Sequence, residues 1–328
     1  MENIQKIANV QTTASVSDLI NRGGRESFVF DDDIGEKLVE SLREKKEIER
    51  FTALFAGKGP VMVSGAGDSQ KSLLSALAAK PEKAMIVLVP EEKDILRWEQ
   101  DLHFFMPERE ILSFPVVEES EFKVTFSGTE RLRERMQSLA ALMNGDPVLV
   151  IATTVEAAQM ITAPSQLEEG ILSISMGEEI EREKLLSDLV RRGYERTDQV
   201  ERCGHFSVRG DIIDIFAINE KHPVRIEFFG DEVDSIRSFD EDTQRSFHNL
   251  DRFSFLPLKI KGEQNATLLS YLTNGILIYD EPQRGEEELK KYFHEDSLNR
   301  EKAFSWEDLI RFPRKNKENK NEEILFSF

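Results

Sequence analysis

Residues 194–247 read YERTDQVERCGHFSVRGDIIDIFAINEKHPVRIEFFGDEVDSIRSFDEDTQRSF. Val224, Ile226 and Phe228 alternate with Arg225, Glu227 and Phe229, the period-2 signature of a strand with one buried face. Gly230, Asp231 and Glu232 supply turn chemistry, and residues 233–239 return as a second strand. Upstream, Phe206 and Val208 share one face of a further strand and Arg209 takes the other. Gly210 marks a bulge or bend, after which Ile212, Ile213, Ile215 and Phe216 continue the apolar run. With an alternating strand at 171–176 and a helix at 181–192 stopped by Gly193, the pattern predicts an antiparallel α+β unit.

Phe229 is the odd residue in this unit. Alternation puts it outward with Arg225 and Glu227, where an isolated domain gains nothing from a large aromatic. Arginine and an aromatic together on a sheet face are the composition of a protein-binding hot spot. The bland alternative is a loop over Phe229 and arginines that are ordinary solvated charges.

The order V-R-G-D-I-I-D-I-F, then H-P-V-R-I-E-F-F-G-D-E-V-D-S-I-R-S-F-D, then T-Q-R-S resembles the second domain of a UvrB-like module. That module opens the bacterial transcription-repair coupling factors. Weaker resemblance extends from residue 60 to residue 292. In that family the domain binds the nucleotide-excision-repair protein UvrA through two arginines and a phenylalanine. Those positions hold Arg209, Arg225 and Phe229 here, the outward set that alternation isolates.

The resemblance implies a full-length protein that is an ATP-dependent DNA translocase and pushes stalled RNA polymerase off damaged DNA. Its RNA polymerase and DNA contacts would lie outside this chain. This part would recruit UvrA, and at rest its UvrA face would lie against C-terminal domains of the same protein.

Residues 60–74, PVMVSGAGDSQKSLL, have the strand, small-residue loop and helix start of a phosphate-binding P-loop. Gly65, Lys71 and Ser72 fit that template, but Gln70 stands where the second glycine belongs. A side chain there should obstruct the backbone wrap around phosphates. The related UvrB loop is intact, whereas the coupling factors resemble this chain in having a degenerate one.

Residues 275–282, GILIYDEP, resemble a Walker B strand ending in Asp280 and Glu281. In a working site Asp280 would hold magnesium and Glu281 would orient water; otherwise the two carboxylates cap a helix start. With the P-loop broken, no ATPase or helicase activity and no cofactor are expected of this chain. The rival reading is an ATP-binding UvrB-like helicase half with Lys71, Ser72, Asp280 and Glu281 as its site.

The remaining pattern alternates β and α. Residues 34–55 form one amphipathic helix or two in tandem, and residues 84–89 (AMIVLV) a buried parallel strand. A helix with Trp98 facing the core, a short strand at 111–114, a helix at 129–143 and a strand at 148–152 follow. A hydroxyl cap is available at Thr153 or Thr154 for a helix reaching Met160. A short helix at 15–20, a strand at 28–30, a capping role for Asp31, Asp32 and Asp33, and a linker at 164–170 complete the first part. Residues 115–128 carry only an acidic stub, with Glu118, Glu119 and Glu121. The matching region of UvrB resembles a long damage-gripping hairpin, so damage recognition is not expected here.

The expected fold is therefore α/β: a degenerate P-loop-like parallel-sheet domain at 1–170, an inserted antiparallel α+β domain at 171–250, and a returning segment with a smaller third domain at 251–328. Residues 283–312 read as amphipathic helix and 313–323 as a charged linker. The apolar strand at 324–328 suggests a chain that goes on beyond Phe328.

Composition bounds the rest. Of 328 residues, 43 are Lys or Arg and 62 are Asp or Glu, a net charge of −19. Such a surface repels phosphate backbones and argues against general nucleic-acid binding by this chain. A single cysteine, Cys203, leaves no internal disulfide and reads as passive. The start MENIQKIANVQ lacks a signal-peptide pattern, and no membrane contact is expected, which fits a cytoplasmic protein. The five histidines are scattered, with no metal-ligand spacing.

Overall fold

A computed structural model describes residues 33–54, 60–116, 126–259, 263–296, 298–315 and 321–327. The helix and strand expected before residue 31, Asp31, Asp32 and the acidic stub at Glu118, Glu119 and Glu121 lie outside the described residues. Two helices in tandem open the described chain, α1 (Ile34–Arg43) and α2 (Lys46–Leu54). Asp33 sits at the N-cap of α1 without a side-chain cap hydrogen bond and pairs with Lys37 at 2.6 Å instead.

Next come β1 (Val61–Ser64), α3 (Asp68–Ala78), β2 (Met85–Val89), α4 (Glu92–Phe105) and β3 (Ile111–Ser113). They are followed by α5 (Phe126–Asn144), β4 (Leu149–Thr153) and α6 (Thr154–Ala158). Thr153 caps α6 reciprocally with Glu156, its hydroxyl accepting from the Glu156 amide at 3.1 Å. After the short strand β5 (Ile161–Thr162), residues expected to be a linker form α7 (Pro164–Gly170). Pro164 presets the first helical turn, and Leu167 is fully buried beneath it.

The second unit holds β6 (Leu172–Ser175), α8 (Arg182–Arg191), β7 (Glu195–Arg196), β8 (His205–Arg209), β9 (Ile212–Ile215), β10 (Val224–Phe229), β11 (Glu232–Phe239), β12 (Ser246–Asn249) and β13 (Arg252–Phe255). The chain then forms β14 (Gln264–Ala266), a 3₁₀ turn at Leu268–Tyr271, β15 (Ile276–Asp280), α9 (Pro282–Glu295), α10 (Asn299–Lys302), α11 (Trp306–Lys315) and β16 (Glu322–Ser327).

One six-stranded sheet runs in the order β1-β16-β15-β2-β4-β3, and each strand pairing within it is parallel. Its central strands are continuously apolar because both faces are covered. Ile86, Leu88, Val150 and Leu277 pack toward α5, while Met85, Val87, Ile151, Ile278 and Phe326 pack with Trp98 of α4. The returning segment supplies β15 and β16 to the first sheet. The run at 324–328, expected to begin a strand, falls in β16 up to Ser327, an interior strand paired on both sides.

The other six-stranded sheet, β12-β11-β10-β9-β8-β7, is antiparallel apart from the β7–β8 pair. Phe253 and Phe255 of β13, expected to open the third region, instead pair with β6 and bury in this unit's core. The two units also share a core: Val200, Cys203, Phe216, Ile218 and Leu256 cluster with Leu132 and Met136 of α5. At roughly 1.5–3 kcal/mol for each large apolar side chain buried, that shared cluster holds the inserted unit firmly to the first.

Candidate functional site

The alternation in β10 is realised as read. Val224, Ile226 and Phe228 are buried, and Phe229 stands 80% exposed with nothing over it among the described residues. Gly230, at φ +67°, opens the two-residue turn into β11, a conformation that favours glycine. The register places Arg225 beside Asp214 of β9, and Asp214 beside Ser207 of β8. Arg209, Asp214, Arg225, Glu227 and Phe229 therefore share the outward face.

Arg225 on that face is not the ordinary solvated charge of the bland alternative. Arg225 is only 17% exposed in its side chain and lies across two partners at once. Its Nε donates to Asp214 Oδ1 at 2.7 Å and its Nη2 to Asp214 Oδ2 at 2.9 Å. The guanidinium carbon sits 4.5 Å from the centre of the fully buried Phe239 ring, within cation–π range. The Asp214 hydrogen bonds raise the Arg225 pKa further above its ordinary value, outweighing partial burial. Gln244, a non-glycine residue at φ +60°, brings its carbonyl and side-chain oxygens to 3.5 and 3.4 Å of the same guanidinium.

Glu227 is ion-paired to Arg237 across the strand pair. Arg209 is exposed, with one long hydrogen bond to the Asp198 carbonyl at 3.3 Å. It borders a shallow depression lined also by Arg196, Thr197, Asp198 and Val208. The face thus combines a bare phenyl ring, an accessible arginine and a second arginine locked flat. Sequence reasoning found all three residues and missed Asp214 and Phe239. The Gly210 and Gly230 turns set only the β8–β9 and β10–β11 registers, so the β9–β10 register that pairs Asp214 with Arg225, across the connection at 216–223, had no such local signal.

The nucleotide-like loop is arranged quite differently. Gly65 turns at φ +77° and its N–H donates to the Ser327 carbonyl at 3.2 Å. The Gly67 N–H donates to the Gln70 side-chain oxygen at 2.9 Å. Gln70 therefore works less as a steric block than as a substitute acceptor, taking up a loop N–H that a P-loop would offer to phosphate.

Lys71 is 1% exposed; its Nζ donates to Asp280 Oδ1 at 2.7 Å and to Glu281 Oε1 at 2.5 Å. Trp98 Nε1 and Arg97 Nη2 complete the Asp280 shell at 2.8 and 3.0 Å. Glu281 holds its position at φ +47°. Burial alone would lower the Lys71 pKa, but the two carboxylates outweigh it and hold the group above its ordinary value. The Ser72 hydroxyl is buried without a hydrogen-bond partner among the described residues.

Three of the four Walker-like residues, Lys71, Asp280 and Glu281, come together, then, but as a closed ion cluster that leaves Ser72 out. The expected helix-cap role for the two carboxylates does not describe it. The lysine and two loop N–H groups that a nucleotide-binding loop would offer to phosphate thus have partners within the chain. Elsewhere, burial pushes the Cys203 thiol up to about 11, so it stays protonated and inert. Among the described residues no cluster of His, Cys, Asp and Glu could hold a metal ion, and no helix is long and apolar enough to cross a membrane.

Residues 172–260 match the family described as the UvrB interaction domain. The chain is similar to the transcription-repair-coupling factor of Bacillus subtilis (strain 168), with 31% identity over 239 residues, 70% of this chain and 20% of that protein. The factor of the same name from Staphylococcus aureus (strain bovine RF122 / ET3-1) is 29% identical over 211 residues, 64% of this chain and 18% of its own length. The Mu50 strain's factor matches over the same shares. The aligned part thus spans about a fifth of the length of these curated relatives. The resemblance carried by the motifs around Arg209 and Arg225 is borne out.

Proposed function

We propose that this chain, a relative of the transcription-repair-coupling factors that carries a UvrB interaction domain, is a docking module that recruits UvrA to stalled RNA polymerase. The observation that carries the reading is Phe229, 80% exposed beside the locked Arg225 on a face within the matched residues. A large aromatic presented next to an arginine on a sheet face has the composition of a protein-binding hot spot. Arg209, on the rim of the same face, would steer encounter more than it would add affinity.

In this reading the chain turns over no ATP. Translocation, and the contacts to RNA polymerase and DNA, belong to other parts of a longer protein. C-terminal domains of that protein would cover the Phe229 face until UvrA is needed. The closed Lys71–Asp280–Glu281 cluster supports the non-enzymatic part of the proposal and weighs against an ATP-binding helicase half.

Calorimetric titration of the chain with UvrA tests the reading. One-to-one binding in the micromolar range or tighter is expected, about −8 kcal/mol or more favourable. An absence of heat or complex at these concentrations sinks it.

A further inference from the structure

Arg225 presents a puzzle for a binding face, because Asp214 has already neutralised its charge. A free lysine or arginine would serve better for attraction alone. The arrangement instead fixes direction. Nε and one edge of the guanidinium are spent on Asp214, and the Phe239 ring supports its plane from below. Gln244 oxygens approach only to 3.4–3.5 Å, too long to compete strongly with a partner. Nη1, whose nearest acceptor here is the Gln244 carbonyl at 3.5 Å, is the donor the clamp leaves for an incoming acceptor to take over.

We propose that Asp214 is a positioning residue for partner docking: it holds Arg225 as a fixed, outward hydrogen-bond donor beside Phe229. The partner feature this selects is an oxygen acceptor adjoining an apolar pocket that takes the phenyl ring. The inference rests on the UvrA reading above and adds the residue and the chemistry through which that face works. Long, solvated arginines lose side-chain freedom on binding; a guanidinium already ordered by a buried carboxylate loses less. Sequence reading assigned Asp214 no role, and its side chain, 2% exposed, contributes no contact surface of its own.

The test is a double-mutant cycle read by calorimetry with UvrA, using Asp214→Asn, Arg225→Ala and the pair. Truncating a central anchor is expected to weaken binding about 30-fold. Asp214→Asn should cost tenfold or more, on the order of one hot-spot contact, while adding less than about twofold on the Arg225→Ala background. Arg225→Lys keeps the charge but cannot form the fork, and should bind about as poorly as Arg225→Ala.

Independently of UvrA, the Arg225 Nε–H resonance should be protected from exchange in the parent chain and lose that protection in Asp214→Asn. Phe239→Leu, which leaves both charges in place, serves as the second probe if Asp214→Asn fails to fold, and should also weaken binding. Normal binding by Asp214→Asn, additive losses in the cycle, full rescue by lysine, or an unprotected Nε–H in the parent would each overturn the inference while leaving UvrA recruitment standing. Failure of the parent chain to bind UvrA removes both.

Discussion

Replacing Lys71 with methionine removes an ammonium from between two carboxylates while keeping most of its buried stem. Asp280 retains Trp98 at 2.8 Å and Arg97 at 3.0 Å, whereas the Glu281 oxygen loses its 2.5 Å partner. Removing one member of a buried pair typically costs 3–5 kcal/mol, since the other is left buried and uncompensated. The retained partners of Asp280 place Lys71→Met at the lower end, about 3 kcal/mol.

The assay is urea unfolding followed by far-ultraviolet circular dichroism, compared at equal slope. Adding Asp280→Asn and Glu281→Gln to Lys71→Met should recover much of the loss, because neutral partners need no cation. The pH dependence has a definite sign. A lysine whose folded pKa lies above its unfolded value contributes stability that is fully present below about 10.5, and that contribution fades as pH rises through the folded pKa. The gap between parent and Lys71→Met should hold constant from neutrality to about pH 10 and shrink above it. A variant as stable as the parent, or a gap that widens in alkali, refutes the account of a lysine held by its own carboxylates.

Other expectations follow from the same contacts. Magnesium and ATP at millimolar concentration should leave the unfolding midpoint unmoved, since a ligand that binds only the folded state must raise it; a rise would revive the helicase-half reading. Gly35→Ala puts a methyl 1.9 Å from the Phe104 carbonyl oxygen, forcing α1 away from α4. It should cost roughly 1–3 kcal/mol in thermal or urea unfolding, and an unchanged midpoint would mean that α1 does not dock as described.

Much of this molecule was readable because the deciding signals were local. The period-2 pattern of residues 224–229 and glycine-led turns at 210 and 230 determine which side chains face out, and no distant contact overrides them. Trp98 and the AMIVLV strand were likewise legible, since a continuous apolar run has only the sheet interior to occupy. What stayed hidden depended on partners far along the chain. Gln70 was visible as a broken motif, but the closure of the loop needs Asp280 and Glu281, separated from Lys71 by 209 and 210 residues.

Residues 324–328 read as the start of a strand, with 313–323 as linker, for the same reason. Their neighbours, β1 and β15, lie hundreds or tens of residues away in the chain, and only sheet order makes them interior. Strands β7 and β12 are short and exposed, so they carry no hydrophobic period to detect. The helix at 164–170 was masked by its proline, which reads equally as a linker mark or as a helix start.

We propose the bare phenyl ring on the β10–β11 hairpin, with a pre-set arginine beside it, as the docking face for UvrA. Calorimetry of the parent chain and Phe229→Ala against UvrA, with urea unfolding of each, tests it most directly. At 80% exposure the ring contributes almost nothing to folding, so the unfolding midpoint should be unchanged within about 0.5 kcal/mol. Affinity for UvrA should fall by about 2 kcal/mol or more. Equal binding by Phe229→Ala and the parent, with both folded, would contradict the account.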